Sequence, residues 1–421
     1  MSVDEDFTIL PNLLEANAPL KKAKNLYRLP EWMSAFARRF DSGQLQTETT
    51  VPIDQLTYLD EDLRSLLINN LSIKHLFPVQ SQVIPYLIEQ SRSHSPIPPG
   101  DLCVSSPTGS GKTLTYVIPL IQCLRRHATR AIRVIILLPV QDLAEQVYHV
   151  VNQLGNRFQL KTVLLAGQHS FEDEQKILVQ QQLDGSKRML SFSKYLLSPL
   201  LLGWISSIDI VVCTPGRLVE HISRTSGFSL IHLRYLVIDE ADRIIDEFKQ
   251  DWLTILDKAV GLSNQIKRDF QPYMLSQPNI HRKTYQKLLF SATLTHNPEI
   301  LQQLNLFRPV LFASLASSSS SSIAMPSTLR ENFVVCSITY KPLIIAYLIQ
   351  NQLQSEKIMI FVHSKKDVDR LTSLLKLLLP EKTKVSQISR DFPSTKIQTR
   401  LDMFQRGRIQ IIVCSDVLAY V

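Results

Sequence analysis

The sequence predicts an α/β protein built on parallel sheets, and three observations lead there. Short apolar runs rich in β-branched residues alternate with longer amphipathic stretches, each run ends in a polar or glycine-bearing turn, and the pattern resumes after a serine-rich break. The runs are Leu102 to Val104, Val134 to Leu138, Thr162 to Leu165, Ile208 to Val212, Tyr235 to Ile238 and Lys287 to Phe290. Strands covered by helices on both faces read as continuous apolar runs of this kind. Open sheets of this class hold ligands at the carboxyl ends of their strands, so the chemistry is expected there.

Taken in order, residues 1–50 carry Lys21, Lys22, Lys24, Arg28, Arg38 and Arg39 with little periodicity and read as an extension. Residues 51–312 form the first domain. Six consecutive serines, Ser317 to Ser322, lie close to Pro326, a composition that cannot bury a core, so residues 313–329 read as a linker. The second domain, 330–421, has strands at Lys357 to Val362 and Gln410 to Cys414 with a helix at Lys366 to Leu379 between them, and is expected to be incomplete.

Composition narrows the class. The 421 residues are 44% apolar and 20% charged, which excludes a mainly disordered chain. Apolar stretches such as Val134 to Val140 fall well short of the roughly 20 residues that cross a bilayer. The start, Met-Ser-Val-Asp-Glu-Asp, is acidic where a secretory signal is basic, so a cytosolic or nuclear protein is expected. Five widely spaced cysteines, none in a Cys-x-x-Cys pair, are expected to be reduced and mostly buried. The net charge is +8, and residues 330–421 hold 14 basic against 8 acidic residues, +6 of that total. A basic surface fits a polyanion partner or a plain solvated face.

Two motifs carry chemistry. Ser105-Ser-Pro-Thr-Gly-Ser-Gly-Lys-Thr113 follows a strand and precedes an apolar helical run. Glycines 109 and 111 let backbone N–H groups turn toward phosphate oxygens, Lys112 neutralises the outer phosphates, and Thr113 offers a hydroxyl to Mg²⁺. Ser106 stands where the usual pattern has its first glycine. The second motif, Leu236-Val-Ile-Asp-Glu-Ala-Asp242, ends a strand in adjacent carboxylates, Asp239 for the metal and Glu240 for the attacking water. Alone, Asp239 and Asp242 fit an acidic helix start equally well.

Together these motifs resemble those of the DEAD-box RNA helicases. Asp239-Glu-Ala-Asp242 is the name-giving tetrapeptide, Ser291-Ala-Thr293 the coupling motif, Thr214-Pro-Gly-Arg217 a first-domain RNA-backbone motif, and Phe77-Pro-Val-Gln80 the adenine-reading element. Ile360-Phe-Val-His363 and Val413-Cys-Ser-Asp-Val-Leu-Ala419 resemble second-domain motifs. The resemblance implies two RecA-like domains in tandem that clamp ATP-Mg²⁺ and single-stranded RNA and separate short duplexes. It implies that Gln80 bonds adenine, that Ser106, Thr108, Gly109, Ser110, Gly111, Lys112 and Thr113 hold the phosphates, and that Thr113 and Asp239 serve Mg²⁺. By the same resemblance Glu240, Asp239 and Lys112 are the catalytic set, and Asp242, Ser291 and Thr293 couple the nucleotide to RNA. Thr214, Pro215, Gly216, Arg217, Gly167 and Ser364 are the implied RNA contacts. Outside that series, Ser291-Ala-Thr and Thr214-Pro-Gly-Arg would read as ordinary turns.

Some positions depart from the family pattern. Pro139-Val-Gln141 replaces a cationic RNA contact by Gln141, and Gly167-Gln168 stands where a glycine pair is common. Long spacings imply insertions around residues 172–205 and 259–284, either partner surfaces or tolerated loops. The wording of Phe77-Pro-Val-Gln, Phe228-Ser-Leu and Leu288 to Thr295 resembles a nucleolar subgroup that acts in large ribosomal subunit assembly, which implies pre-rRNA and assembly factors as partners and a nuclear, nucleolar location. The family's later arginine motif lies past Val421, so a 421-residue chain is expected to bind ATP far better than it hydrolyses it. A non-unwinding ATP- and RNA-binding module is the alternative expectation, and a DNA translocase a third.

Overall fold

The computed structural model describes residues 37–40, 51–93, 98–125, 130–181, 204–247, 251–270, 285–292, 304–314, 332–353, 357–380, 382–389, 392 and 394–415. The chain divides into two units, residues 1–139 with 150–324 and residues 140–149 with 325–421. The strands are β1 (Ala37–Phe40), β2 (Val51–Pro52), β3 (His75–Leu76), β4 (Leu102–Ser105), β5 (Val134–Leu137), β6 (Thr162–Leu165), β7 (Val179–Gln181), β8 (Trp204–Ser206), β9 (Ile210–Cys213), β10 (Tyr235–Asp239), β11 (Gln286–Ser291), β12 (Val310–Ser314), β13 (Ile358–Val362), β14 (Val385–Ile388) and β15 (Ile411–Ser415).

Eight strands form one sheet in the order β1-β12-β4-β11-β10-β5-β9-β6, parallel at every pairing. All residues of β4, β5, β9, β10 and β11 are buried, as continuous apolar runs between two helix layers require. One large core, from Ile135 and Leu137 through Val211, Leu236 and Ile238 to Leu289, fills one face of this sheet with Leu218, Ile244 and Leu256. Two helices start where proline is preorganised: Pro78 opens Pro78–Arg92 and Pro215 opens Pro215–Arg224.

The sheet reaches further than the sequence suggested. Ala37–Phe40, inside the stretch read as an extension, adds a parallel edge strand to β12, with Ala37 opposite Leu311 and Phe40 opposite Ser314. Its four residues Ala-Arg-Arg-Phe lack any β-branched residue, so the pairing comes from the exposed edge of β12. The first expected insertion begins with helix Phe171–Leu178 and an antiparallel ribbon of β7 with β8, and residues 182–203 lie outside the described residues. In the second, helix Asp251–Phe270 runs on to residue 270, and 271–284 are likewise outside them. The serine run falls outside them too.

The second unit holds a parallel sheet, β13-β15-β14. β15 is central and almost wholly buried, whereas β13 alternates, with Met359 and Phe361 exposed and Ile360 packed inward. The helix expected at Lys366 to Leu379 spans Lys365–Leu378, starting from Ser364. All five cysteines are free; Cys103, Cys213 and Cys414 are buried. Among the described residues no helix is long and apolar enough to cross a membrane.

Candidate functional site

Three neighbouring strands, β4, β11 and β10, end side by side, and each delivers one part of the site. Ser105 is level with Ser291, Phe290 with Asp239, and the N–H of Ser106 donates to the carbonyl of Ser291 at 3.1 Å. The phosphate loop is thereby stitched to the coupling motif at its first residue.

From β4 the chain must reverse into helix Lys112–Leu124 within six residues. Gly109 and Gly111 do this with φ of 79° and 81°, which side-chain-bearing residues rarely adopt. A Cβ at Gly111 would also lie 2.3 Å from Gln80 Nε2 and 2.9 Å from Phe77 Cδ2, so both side chains would have to give way. Ser106 is accommodated because its Oγ donates to Ser110 Oγ at 2.7 Å across the loop. Thr108 and Gly109 are exposed at the tip, and Thr113 lies half-buried in the first helical turn. Lys112 is buried; its Nζ donates to the Ser106 carbonyl at 3.1 Å and stands 3.9 Å from Glu240 Oε1. Gln80, also buried, accepts from the N–H of Phe77 at 2.9 Å and donates to the Gly111 carbonyl at 3.1 Å. The expected adenine reader thus braces the phosphate loop, with one amide N–H beyond that bond.

Asp239 closes β10 and is buried. Its Oδ2 accepts from the Tyr116 hydroxyl at 2.8 Å and its Oδ1 from the Glu240 N–H at 3.0 Å. Burial pushes its carboxyl up to about 6, against the pull of the Tyr116 bond and the Lys112 charge. A dehydrated carboxylate, with Thr113 meeting the same Tyr116 hydroxyl and a lysine near but not bonded to it, is a donor set suited to a hard divalent cation. Burial and the Asp239 charge push the Tyr116 hydroxyl well above its ordinary range, so it stays a donor. Glu240 has φ of 49°, an unfavourable value for a residue with a Cβ, and this turn aims it back toward Lys112. Asp242 accepts from the N–H of Arg243 at 3.0 Å, Ser291 is fully buried, and Thr293 lies outside the described residues.

At the far side of the sheet β6 and β9 end together. Gly167, exposed with φ of 85°, follows β6, and Thr214 follows β9, its N–H donating to the Leu165 carbonyl at 3.3 Å. Pro215 is buried in the first turn, and Gly216 faces open space. The Arg217 guanidinium turns inward. Nε donates to Glu174 at 2.8 Å, Nη1 to Glu220 at 2.7 Å and Nη2 to the His169 carbonyl at 3.2 Å, with the Phe171 ring 5.3 Å away.

Glu174 is the residue the sequence reading missed. Fully buried, it accepts from Arg217, from the Gly167 N–H at 3.3 Å and from His221 Nε2 at 2.9 Å. His221 is also fully buried, its Nδ1 2.9 Å from Thr225 Oγ1 and its ring stacked on Phe171 at 4.6 Å. Burial pushes its pKa down, outweighing Glu174. The signal was available: Phe171, Glu174 and Leu178 recur at helical spacing, an acid set in an apolar stripe. Ser364, in the second unit, caps helix Lys365–Leu378, accepting from the Asp367 N–H at 3.2 Å and donating to its carboxylate at 2.6 Å.

The family model described as DEAD/DEAH box helicase matches residues 77–301, more than half the chain, and the one described as helicase conserved C-terminal domain matches 340–420. The chain belongs to the DEAD/DEAH box helicases. Among curated relatives of this family, the probable ATP-dependent RNA helicase Dbp73D of Drosophila melanogaster is 38% identical over 95% of the chain and 59% of its own length. The human ATP-dependent RNA helicase DDX51 is 36% identical over 98% of the chain and 62% of its length. The chain therefore spans about three-fifths of these relatives. In fold it is similar to Mss116p, solved bound to ssRNA and AMP-PNP, with TM-score 0.66, 20% identity, and coverage of 90% of this chain and 68% of that one. The α/β, RecA-like helicase architecture is thus that of the family.

Proposed function

We propose that the chain is the ATP- and RNA-binding core of an ATP-dependent RNA helicase, with a first domain at residues 51–312 widened by the edge pairing to take in β1 and the end of β12, and a second at 330–421, joined by the serine-rich segment. The observation that carries this reading is the convergence of Lys112, Asp239, Glu240 and Ser291 on three adjoining strand ends. Backbone N–H groups of the 108–113 loop and Lys112 hold the β- and γ-phosphates of ATP, while Gln80 keeps the loop in shape and presents its remaining N–H to the base. Asp239 and Thr113 would hold Mg²⁺, which supplies charge neutralisation on the phosphates. Glu240 orients a water against the γ-phosphorus and takes its proton as the bond to ADP breaks, leaving ADP and phosphate. Ser291, hydrogen-bonded through its carbonyl to the phosphate loop, carries the nucleotide state toward the RNA side.

Gly167 and Gly216 present backbone at open surface, with the half-exposed Thr214 between them at the end of β9, suited to sugar and phosphate, which position a strand without reading sequence. Arg217 acts by holding that surface through Glu174 and Glu220 rather than by reaching out. The substrate class proposed is pre-rRNA in large ribosomal subunit assembly, in the nucleolus. Its support is the subgroup wording of the motifs and the similarity to DDX51.

The test is RNA-stimulated ATP hydrolysis by the full-length protein and its Glu240→Gln variant. The variant is expected to keep ATP and RNA affinity within about twofold and to lose at least about 100-fold in kcat. Equal turnover would remove Glu240 from the chemistry.

A further inference from the structure

The excess charge of residues 330–421 is not absorbed by the strand-end motifs, and the second sheet gathers much of it in one place. Lys357, Lys382, Lys384 and Arg408 line a cavity of about 320 Å³ together with Gly407 and Gln410. Among the described residues no carboxylate lines it. The backbone beneath is fixed. Gly407, with φ of 72°, lets the chain turn out of helix Ser394–Gln405, its N–H donating to the Phe404 carbonyl at 3.0 Å, and the Arg408 N–H donates to Met403 at 2.8 Å. The Lys384 carbonyl accepts from both Gln410 and Ile411, the Gln410 carbonyl accepts from Ile358, and Lys357 Nζ donates to the Gln405 carbonyl at 2.5 Å. The starts of β13, β14 and β15 are thereby tied together, each contributing a cation.

These cations precede their strands, whereas Ser364 follows β13 at its carboxyl end. A five-residue strand at about 3.3 Å per residue separates the two ends by roughly 16 Å, so this is a different place from the family motifs. Four like charges in one concavity repel one another, and a chain of phosphates relieves that repulsion at several points at once. We propose that this cavity binds the phosphate backbone of an RNA segment lying outside the strand-end motifs, a second tether on the opposite end of the second sheet. It rests on the reading of the chain as RNA-binding. RNA is favoured over a phosphorylated peptide because Ile409 is the sole apolar side chain lining the cavity among the described residues, which leaves no pocket for peptide side chains. Lysines and an arginine without an aromatic partner grip phosphate and read no base.

The experiment measures fluorescence anisotropy on the full-length protein with a ten-nucleotide single strand, with the same strand extended by a duplex, and with a phosphoserine-rich peptide. The variant is Lys382→Gln/Lys384→Gln/Arg408→Gln. Short-strand binding with an ATP analogue should stay within about twofold, while affinity for the extended RNA should drop about tenfold and its log–log salt slope should fall by about two to three. A companion Lys382→Arg/Lys384→Arg variant should keep the parent's affinity and slope, which separates charge from folding. An unchanged slope and affinity on the extended RNA overturn the proposal, as does a loss confined to the peptide. If the parent fails on the short strand but the triple variant still weakens the extended RNA, the motif reading fails and this site stands.

Discussion

Two buried carboxylates in the first unit, Asp239 and Glu174, meet their charge in opposite ways. Glu174 has its partners supplied by the chain: the Arg217 guanidinium, the His221 ring and the Gly167 N–H all point at it. Asp239 has two donors, the Tyr116 hydroxyl and the Glu240 N–H, and among the described residues no cation within bonding distance, so burial carries its carboxyl up to about 6. A buried charge already paired belongs to the scaffold, and one left short of a cation marks where a ligand's cation belongs. The strand end that carries Asp239 is therefore left to be completed, and the one beside Glu174 is complete as it stands.

The largest effect should come from breaking the completed end. Glu174→Ala leaves Arg217 without its main partner, frees Gly167 from its anchor and opens a cavity under Phe171, so it should cost about 3 to 5 kcal/mol in urea unfolding. Glu174→Gln keeps the volume and one acceptor and should cost less. If both variants unfold at the parent's urea midpoint, the cluster is decoration rather than scaffold.

The opposite end should respond with the opposite sign. Asp239→Asn removes an ion whose folded pKa stands above the ordinary value near 3.8. The folded state thus favours the protonated form, and the penalty of carrying the ionised one is present above about pH 6 and fades as pH falls toward 4. The variant should be more stable than the parent by on the order of 2 kcal/mol at pH 8 and equal to it at pH 4, while losing Mg²⁺-dependent ATP affinity. Thermal melts at the two pH values read the first part and a nucleotide titration the second. A destabilised variant at pH 8 would mean that Asp239 is already paid for within the fold.

The same contrast explains what could be read from sequence. The phosphate loop and Asp239-Glu240 are contiguous, and each follows an unbroken apolar strand, so both the fold around them and their place at strand ends were legible. The helical spacing of Phe171, Glu174 and Leu178 marks Glu174 as an inward-facing acid, but what it pairs with was not legible, because its partners Arg217 and His221 lie 43 and 47 residues away. The inward turn of Arg217 was missed for the same reason: a turn motif tells where the backbone goes, not which carboxylate receives the side chain. β1 was missed because its own residues carry no strand signal and its partner lies more than 270 residues on. The basic cavity was visible only as net charge, since Lys357, Lys384 and Arg408 meet through strand pairing alone.

The smallest effect tests whether the Tyr116 bond is directed at a charge. Its hydroxyl donates to Asp239 Oδ2 at 2.8 Å, and both residues are buried. Donation to the ionised carboxylate lowers the Asp239 pKa, so removing it lets that pKa rise further from its ordinary range. Tyr116→Phe should therefore destabilise the chain by about 1 to 2 kcal/mol at pH 8, where Asp239 is ionised, and by less at pH 5, where it is mostly protonated. The ring's contact with Phe290, centroids 4.9 Å apart, survives in the variant, so lost packing does not enter the difference. Urea unfolding of parent and variant at the two pH values measures it. An equal loss at both would show that the hydroxyl serves the fold without regard to the carboxylate's charge, and would remove Tyr116 from the residues that hold Asp239 ready for a cation.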